Sequence, residues 1–169
     1  MTTIEAEVKQ LLTDVVLISY DIPASENTLR HRFLREVALH GGMQHTASCY
    51  LVPFSEDILE WANQLESAGH AVVWVSKQPD QKTAVAITAK YDDHLKTRCL
   101  GIDQKLVFLQ EQIEAGRLKR AQNTAERILK MLQELSKISD AYNPPWLKPK
   151  IAELGYKLKE VYEHGQEGS

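Results

Sequence analysis

The chain has 169 residues, 43% of them apolar, and 20 Lys/Arg against 23 Asp/Glu give a formal net charge of −3. That length allows one domain or a compact domain with an appendage, and the apolar share is enough for a packed core, which excludes a disordered chain. Residues 1–78 hold 5 Lys/Arg against 10 Asp/Glu (net −5) and residues 79–169 hold 15 against 13 (net +2), so neither half has the basic excess of a dedicated nucleic-acid binder and any phosphate contact must use a local patch.

The first ten residues are polar and acidic, unlike a secretory leader, and no apolar run approaches the length of a bilayer span. A cytoplasmic protein without membrane contact is expected. Val15–Tyr20 is apolar and largely β-branched, and it reads as a central strand covered on both faces. Pro23 ends it, and Ser25 or Asn27 can cap a helix running to about His40. Leu29, Phe33, Leu34 and Val37 form its apolar stripe, Arg32 and Arg35 lie opposite, and Arg30 falls on the apolar flank. Gly41-Gly42 breaks the helix, and Met43–Ser48 and Cys49–Phe54 follow as strands. Ser55 caps a second helix with the stripe Ile58, Leu59, Ala62 and Leu65, which ends at Gly69. Ala71–Val75 reads as another buried strand.

Gln78-Pro79-Asp80 marks a boundary, after which the periodicity is helical. Tyr91, Leu95, Cys99, Ile102, Leu106, Leu109 and Ile113 form a seam on one long helix. Gly116 interrupts it. Leu118, Ala121, Ala125, Ile128, Leu132 and Leu135 continue on a second helix, and Asn143-Pro144-Pro145 stops that. Ile151, Leu154, Leu158 and Val161 form a third seam, and the last five residues are expected to fray. The expected fold is α+β: a ferredoxin-like βαββαβ sandwich over 1–78 and a three-helix extension over 79–169. The helical seams can bury against each other, the sheet or a second subunit, and a homodimer is expected.

Asp21 stands at the tip of the first strand. A carboxylate there can pair with Arg30 as a structural ion pair, cap a turn, or hold a divalent metal together with Asp21 of a two-fold mate. Arg32 and Arg35 share a face that can meet phosphate oxygens, and Lys119 and Arg120, with Arg117, make a second basic patch at a helix start. The alternative for both patches is a solvated surface. No two of the six histidines stand at a metal-ligand spacing. Asp92-Asp93-His94 is expected on an exposed helix face. Cys49 and Cys99 are too few and too far apart for a disulfide framework or zinc site and are expected as reduced, partly buried thiols. No nucleophile motif or phosphate loop is present. No metal and no cofactor are expected.

The run from Ile22 to Pro53 resembles the N-terminal domain of the chromate-resistance protein B family. Pro23, Arg30, Arg32, Arg35, Gly41, Tyr50, Leu51 and Pro53 occupy that family's pattern, and Tyr91, Arg117–Arg120 and Tyr142–Pro145 look similar to its helical half. That resemblance implies a role in transcriptional control. The first half is also similar to the small ferredoxin-like subunit of CRISPR adaptation complexes, which carries an Asp at the end of its first strand, where Asp21 stands. That likeness implies two-fold dimers, duplex DNA binding and, for some members, metal-dependent nuclease activity. The leading expectation is a non-catalytic regulatory or nucleic-acid-associated module, working as a dimer with DNA or RNA as a partner. A nuclease using Asp21 across a dimer axis and a protein-interaction scaffold are the alternatives.

Overall fold

The computed structural model describes residues 14–23, 25–67, 69, 71–77 and 80–167. The elements run β1 (Asp14–Tyr20), α1 (Asn27–Leu39), β2 (Met43–Thr46), β3 (Cys49–Pro53), α2 (Glu56–Ser67), β4 (Ala71–Lys77), α3 (Gln81–Glu114), α4 (Leu118–Ala141) and α5 (Leu147–Glu167). The strands form one antiparallel sheet in the order β2-β3-β1-β4. β1 takes an interior position because it is apolar on both faces. Val16, Ile18 and Tyr20 serve one core, and Val15 and Leu17 serve the other.

On the first face the sheet packs against α1 and α2. Phe33 and Val37 from α1 and Ile58, Ala62 and Leu65 from α2 meet Val16, Ile18 and Val52. Phe33 is fully buried, with Tyr20, Trp61 and Tyr50 rings centred 4.3, 5.4 and 5.8 Å away. Gly69, at φ +78°, closes the connection from α2 to β4.

On the second face, Val15, Leu17, Met43 and Leu51 share a core with the three long helices. The seam residues Tyr91, Leu95, Cys99, Ile102, Leu106 and Leu109 of α3 are buried, as are Ile128, Leu132 and Leu135 of α4 and Leu154 of α5. The helices thus bury their stripes against each other, and the sheet-proximal end of the bundle covers the sheet. Arg98 ties this junction. It donates to the Ala38 carbonyl at 3.1 Å and to Glu134 Oε2 at 3.0 Å, linking α3 to α1 and α4. At the far side of the bundle Lys150 and Lys157 of α5 both pair with Asp103 of α3, at 3.3 and 3.0 Å.

Several expectations change. β4 is not a buried strand. It lies at a sheet edge, with Val72 47% and Trp74 57% exposed, because an edge strand has one neighbour and the bundle covers the sheet only in part. α1 starts after Glu26, with no side-chain cap bond from Ser25 or Asn27. Ser55 does cap α2, accepting from the Ile58 N–H at 3.3 Å. Leu118 is 58% exposed at the turn into α4, so that seam begins at Ala121. α5 continues to Glu167, past the start of the expected frayed tail. The expected boundary at Gln78-Pro79 and the polar N-terminal segment lie outside the described residues. Asp80 caps α3, accepting from the Thr83 N–H at 3.1 Å. Among the described residues, no helix is long and apolar enough to cross a membrane.

Candidate functional site

The α/β layer and the bundle meet beside the turn after α1. Gly41 has φ +77°, a conformation that favours glycine. The Tyr91 hydroxyl donates to its carbonyl at 2.7 Å. A Cβ on Gly41 would meet Ile138 Cγ1 at 2.9 Å and collide with the Tyr91 hydroxyl. Next to this contact a cleft of about 290 Å³ opens between the end of α1, the start of α2 and the last turns of α4. Its polar wall is His40, Ser55, Asp57, Lys137 and Asp140.

Burial pushes the His40 imidazole below its ordinary pKa, and Lys137 adds to this while Glu36 and Asp57 oppose it. His40 is therefore neutral near pH 7. Ser55 Oγ is committed to capping α2. None of the side-chain hydrogen bonds found among the described residues links His40 to Ser55 or Asp57, so no nucleophile–base pair is assembled here. Among the described residues, no three His, Cys, Asp or Glu side chains stand together as a metal site. The cleft can take up a small polar group that meets mixed charge, with Lys137 against Asp57 and Asp140.

The residues singled out from sequence are not gathered into one site. Asp21 and Arg30 are both exposed, and no ion pair joins them among the described residues. The flank position of Arg30 does not bury it, because the α1 core narrows to Phe33 and Val37. Its guanidinium instead acts on the Tyr50 hydroxyl, opposing the upward push of burial and of Tyr20 there. Arg30→Ala is thus expected to cost no more than Arg32→Ala or Arg35→Ala, roughly 0–1 kcal/mol each in a urea melt. Arg32 and Arg35 are exposed on α1, where Arg35 approaches Glu36 at 3.6 Å. Lys119 and Arg120 are exposed at the start of α4. Arg120 stands 18 residues before Ile138, so that patch lies about 27 Å along the helix from the junction. The two basic patches are separate surfaces.

The expected exposure of Asp92-Asp93-His94 holds only for Asp93. Asp92 is 3% exposed, and the Tyr142 hydroxyl donates to its Oδ1 at 2.9 Å. His94 is half-buried, and burial followed by Arg98 pushes its pKa down. Sequence reasoning missed Asp92, Tyr142 and Arg98. The available signal was spacing: Asp92 neighbours Tyr91 on the seam side of α3, and the stop at Asn143-Pro144 places Tyr142 at the matching end of α4. The two cysteines are free thiols, Cys49 half-buried and Cys99 buried, and burial pushes both pKa values up. Comparison with family models, curated proteins and solved structures found no match.

Proposed function

We propose that the chain is a non-catalytic regulatory module that acts as a cytoplasmic homodimer and meets nucleic acid through local basic patches. Its likeness to the N-terminal domains of chromate-resistance regulators is part of this reading. A ferredoxin-like classification of the first half belongs to it too, supported by the βαββαβ order and by antiparallel pairing in the order β2-β3-β1-β4. The observation that carries the nucleic-acid part is the exposure of Arg30, Arg32 and Arg35 along α1, where phosphate contact breaks no internal packing.

Binding of the full chain to duplex DNA at several salt concentrations tests the reading. Arg32→Glu with Arg35→Glu should weaken binding for all sequences alike and flatten the log–log salt slope by about 2. Lys119→Glu with Arg120→Glu should act independently, because that patch is distant. Absence of salt-dependent binding rejects the nucleic-acid role. The nuclease alternative predicts magnesium- or manganese-dependent cleavage that is lost in Asp21→Asn. We expect no cleavage, since one exposed carboxylate offers few of the oxygen ligands a hard cation takes.

The interaction scaffold is favoured by a different observation. A groove of about 430 Å³ between α4 and α5 is lined by Ala125, Leu129, Leu158 and Tyr162, with Leu129 51% exposed. A flat salt response in the DNA experiment leaves that reading in front.

A further inference from the structure

Among the described residues no strand lies beyond β4, so its outer edge is unpaired there, and its pattern can be read from the register. Even-numbered residues of β1 hydrogen-bond toward β3: the Phe54 N–H donates to the Asp14 carbonyl at 3.0 Å, and the Tyr20 N–H to the Ser48 carbonyl at 2.9 Å. Val15, Leu17 and Ser19 therefore serve β4, opposite Ser76, Trp74 and Val72. The main-chain N–H and C=O groups of Ala71, Val73, Val75 and Lys77 are left for the free edge. One contact confirms that direction independently. The Val73 N–H donates to Glu66 Oε1 of α2 at 3.2 Å, outside the sheet.

Sheet edges are commonly blunted by short length, proline, bulges or charge. β4 has seven residues, no proline and an unbroken register with β1. Its large apolar side chains Val72 and Trp74 stand two residues apart on one face and remain about half exposed. Among the described residues Glu66 guards this edge, and it holds a single N–H.

The occupant that this edge fits is a second copy of itself. Trp74 is the middle residue of Ala71–Lys77. A copy run antiparallel about a two-fold axis at Trp74 sets Val73 against the copy's Val75 and Ala71 against the copy's Lys77. Every outward main-chain group then meets an outward group of the opposite kind. Trp74 falls opposite the copy's Trp74 in a non-hydrogen-bonded pair, where side chains approach closest, and Val72 lies diagonal to it. The apolar surface that one chain leaves in water is covered by the same surface of the other, as an isologous interface requires. We infer that β4 pairs with β4 of a second copy about an axis at Trp74, extending the sheet from four strands to eight, while Glu66 holds the edge closed in the monomer. This rests on the dimeric reading above and supplies the surface for it. On pairing, the carbonyl of the copy's Val75 takes the Val73 N–H from Glu66, so Glu66 opposes association.

Sedimentation of the full chain and of two variants tests this, with circular dichroism as the check on folding. Trp74→Lys, at an exposed position, should weaken dimerisation about tenfold or more, as loss of a central aromatic anchor does. Glu66→Ala should tighten it. Oxidative cross-linking in a Cys49→Ser background tests the register. Trp74→Cys should give a disulfide dimer, because Cα atoms of a non-hydrogen-bonded pair lie about 4.5 Å apart. Val72→Cys should not, because two copies of Val72 then lie about 13 Å apart. A dimer indifferent to Trp74→Lys and to Glu66→Ala overturns the β4 surface and leaves the dimeric reading standing. A wild-type and Glu66→Ala monomer at micromolar concentration overturns both.

Discussion

At Gly41 the chain turns with φ +77°, directly beneath a tyrosine from a helix fifty residues on. Gly41→Ala forces a strained backbone and a collision with Tyr91 and Ile138 at once, so we expect a loss of about 2–4 kcal/mol in urea unfolding. A cost below 1 kcal/mol would mean that the junction yields. The sequence marks Gly41 as a helix breaker, but the close approach that needs glycine is visible only once Tyr91 has arrived. Buried titratable side chains give a second prediction at this scale. His40 and His94 are pushed down, both chiefly by burial. The unfolded chain takes up protons near pH 6.5 that the folded chain refuses, so stability should fall as pH drops below about 6.5. Tyr91 is pushed up by burial, and Tyr142 by burial and then by its bond to Asp92. The folded chain keeps these protons where the unfolded chain loses them, so stability should fall again above about pH 10. A urea midpoint that stays level from pH 5 to 11 contradicts both limbs, and His94→Gln should shrink the acid limb alone.

Among the elements, the helical seams were the most legible part of the chain. A run of apolar residues at alternating spacings of three and four fixes which face a helix buries, whatever it packs against. Ile128 and Leu129 make the point on adjacent positions of α4, fully buried and 51% exposed. Ile128→Ala should cost about 2–5 kcal/mol, whereas Leu129→Ala should stay within about 0.5 kcal/mol. Comparable losses from both, read from denaturant midpoints, would place Leu129 in an interface. β4 was the least legible element. A strand with apolar residues on both faces has one sequence signature whether it lies at the centre of a sheet or at its edge, because local pattern does not report neighbours. The reading of AVVWV as a buried strand failed for that reason, and the exposed Val72 and Trp74 are the residues on which the proposed pairing rests. Arg30 failed similarly: an angle on a helical wheel locates a side chain on its helix but does not say how wide the facing core is.

For the molecule as a whole, the two halves share a core. Val15, Met43 and Leu51 of the sheet are buried together with the seams of α3, α4 and α5. A fragment of residues 1–79 would leave that sheet face in water, so we expect it to aggregate or to lack cooperative unfolding by circular dichroism, while the full chain melts as one unit. Independent, cooperative melting of the fragment would show that the α/β layer is self-sufficient. The amino-acid pattern alone carries the local part: the βαββαβ order, the switch to helical period near residue 80, the seam residues and the cap at Ser55. These depend on periodicity, propensity and turn chemistry within a few residues. Which faces meet is settled by the folded chain alone. The bundle lies on the second face of the sheet, Gly41 lies under Tyr91, Asp92 is buried beneath Tyr142, the basic patches of α1 and α4 are kept apart, and β4 is left at the edge. Each of these contacts joins residues far apart along the chain, and their energies depend on a spatial arrangement that no short stretch of sequence encodes.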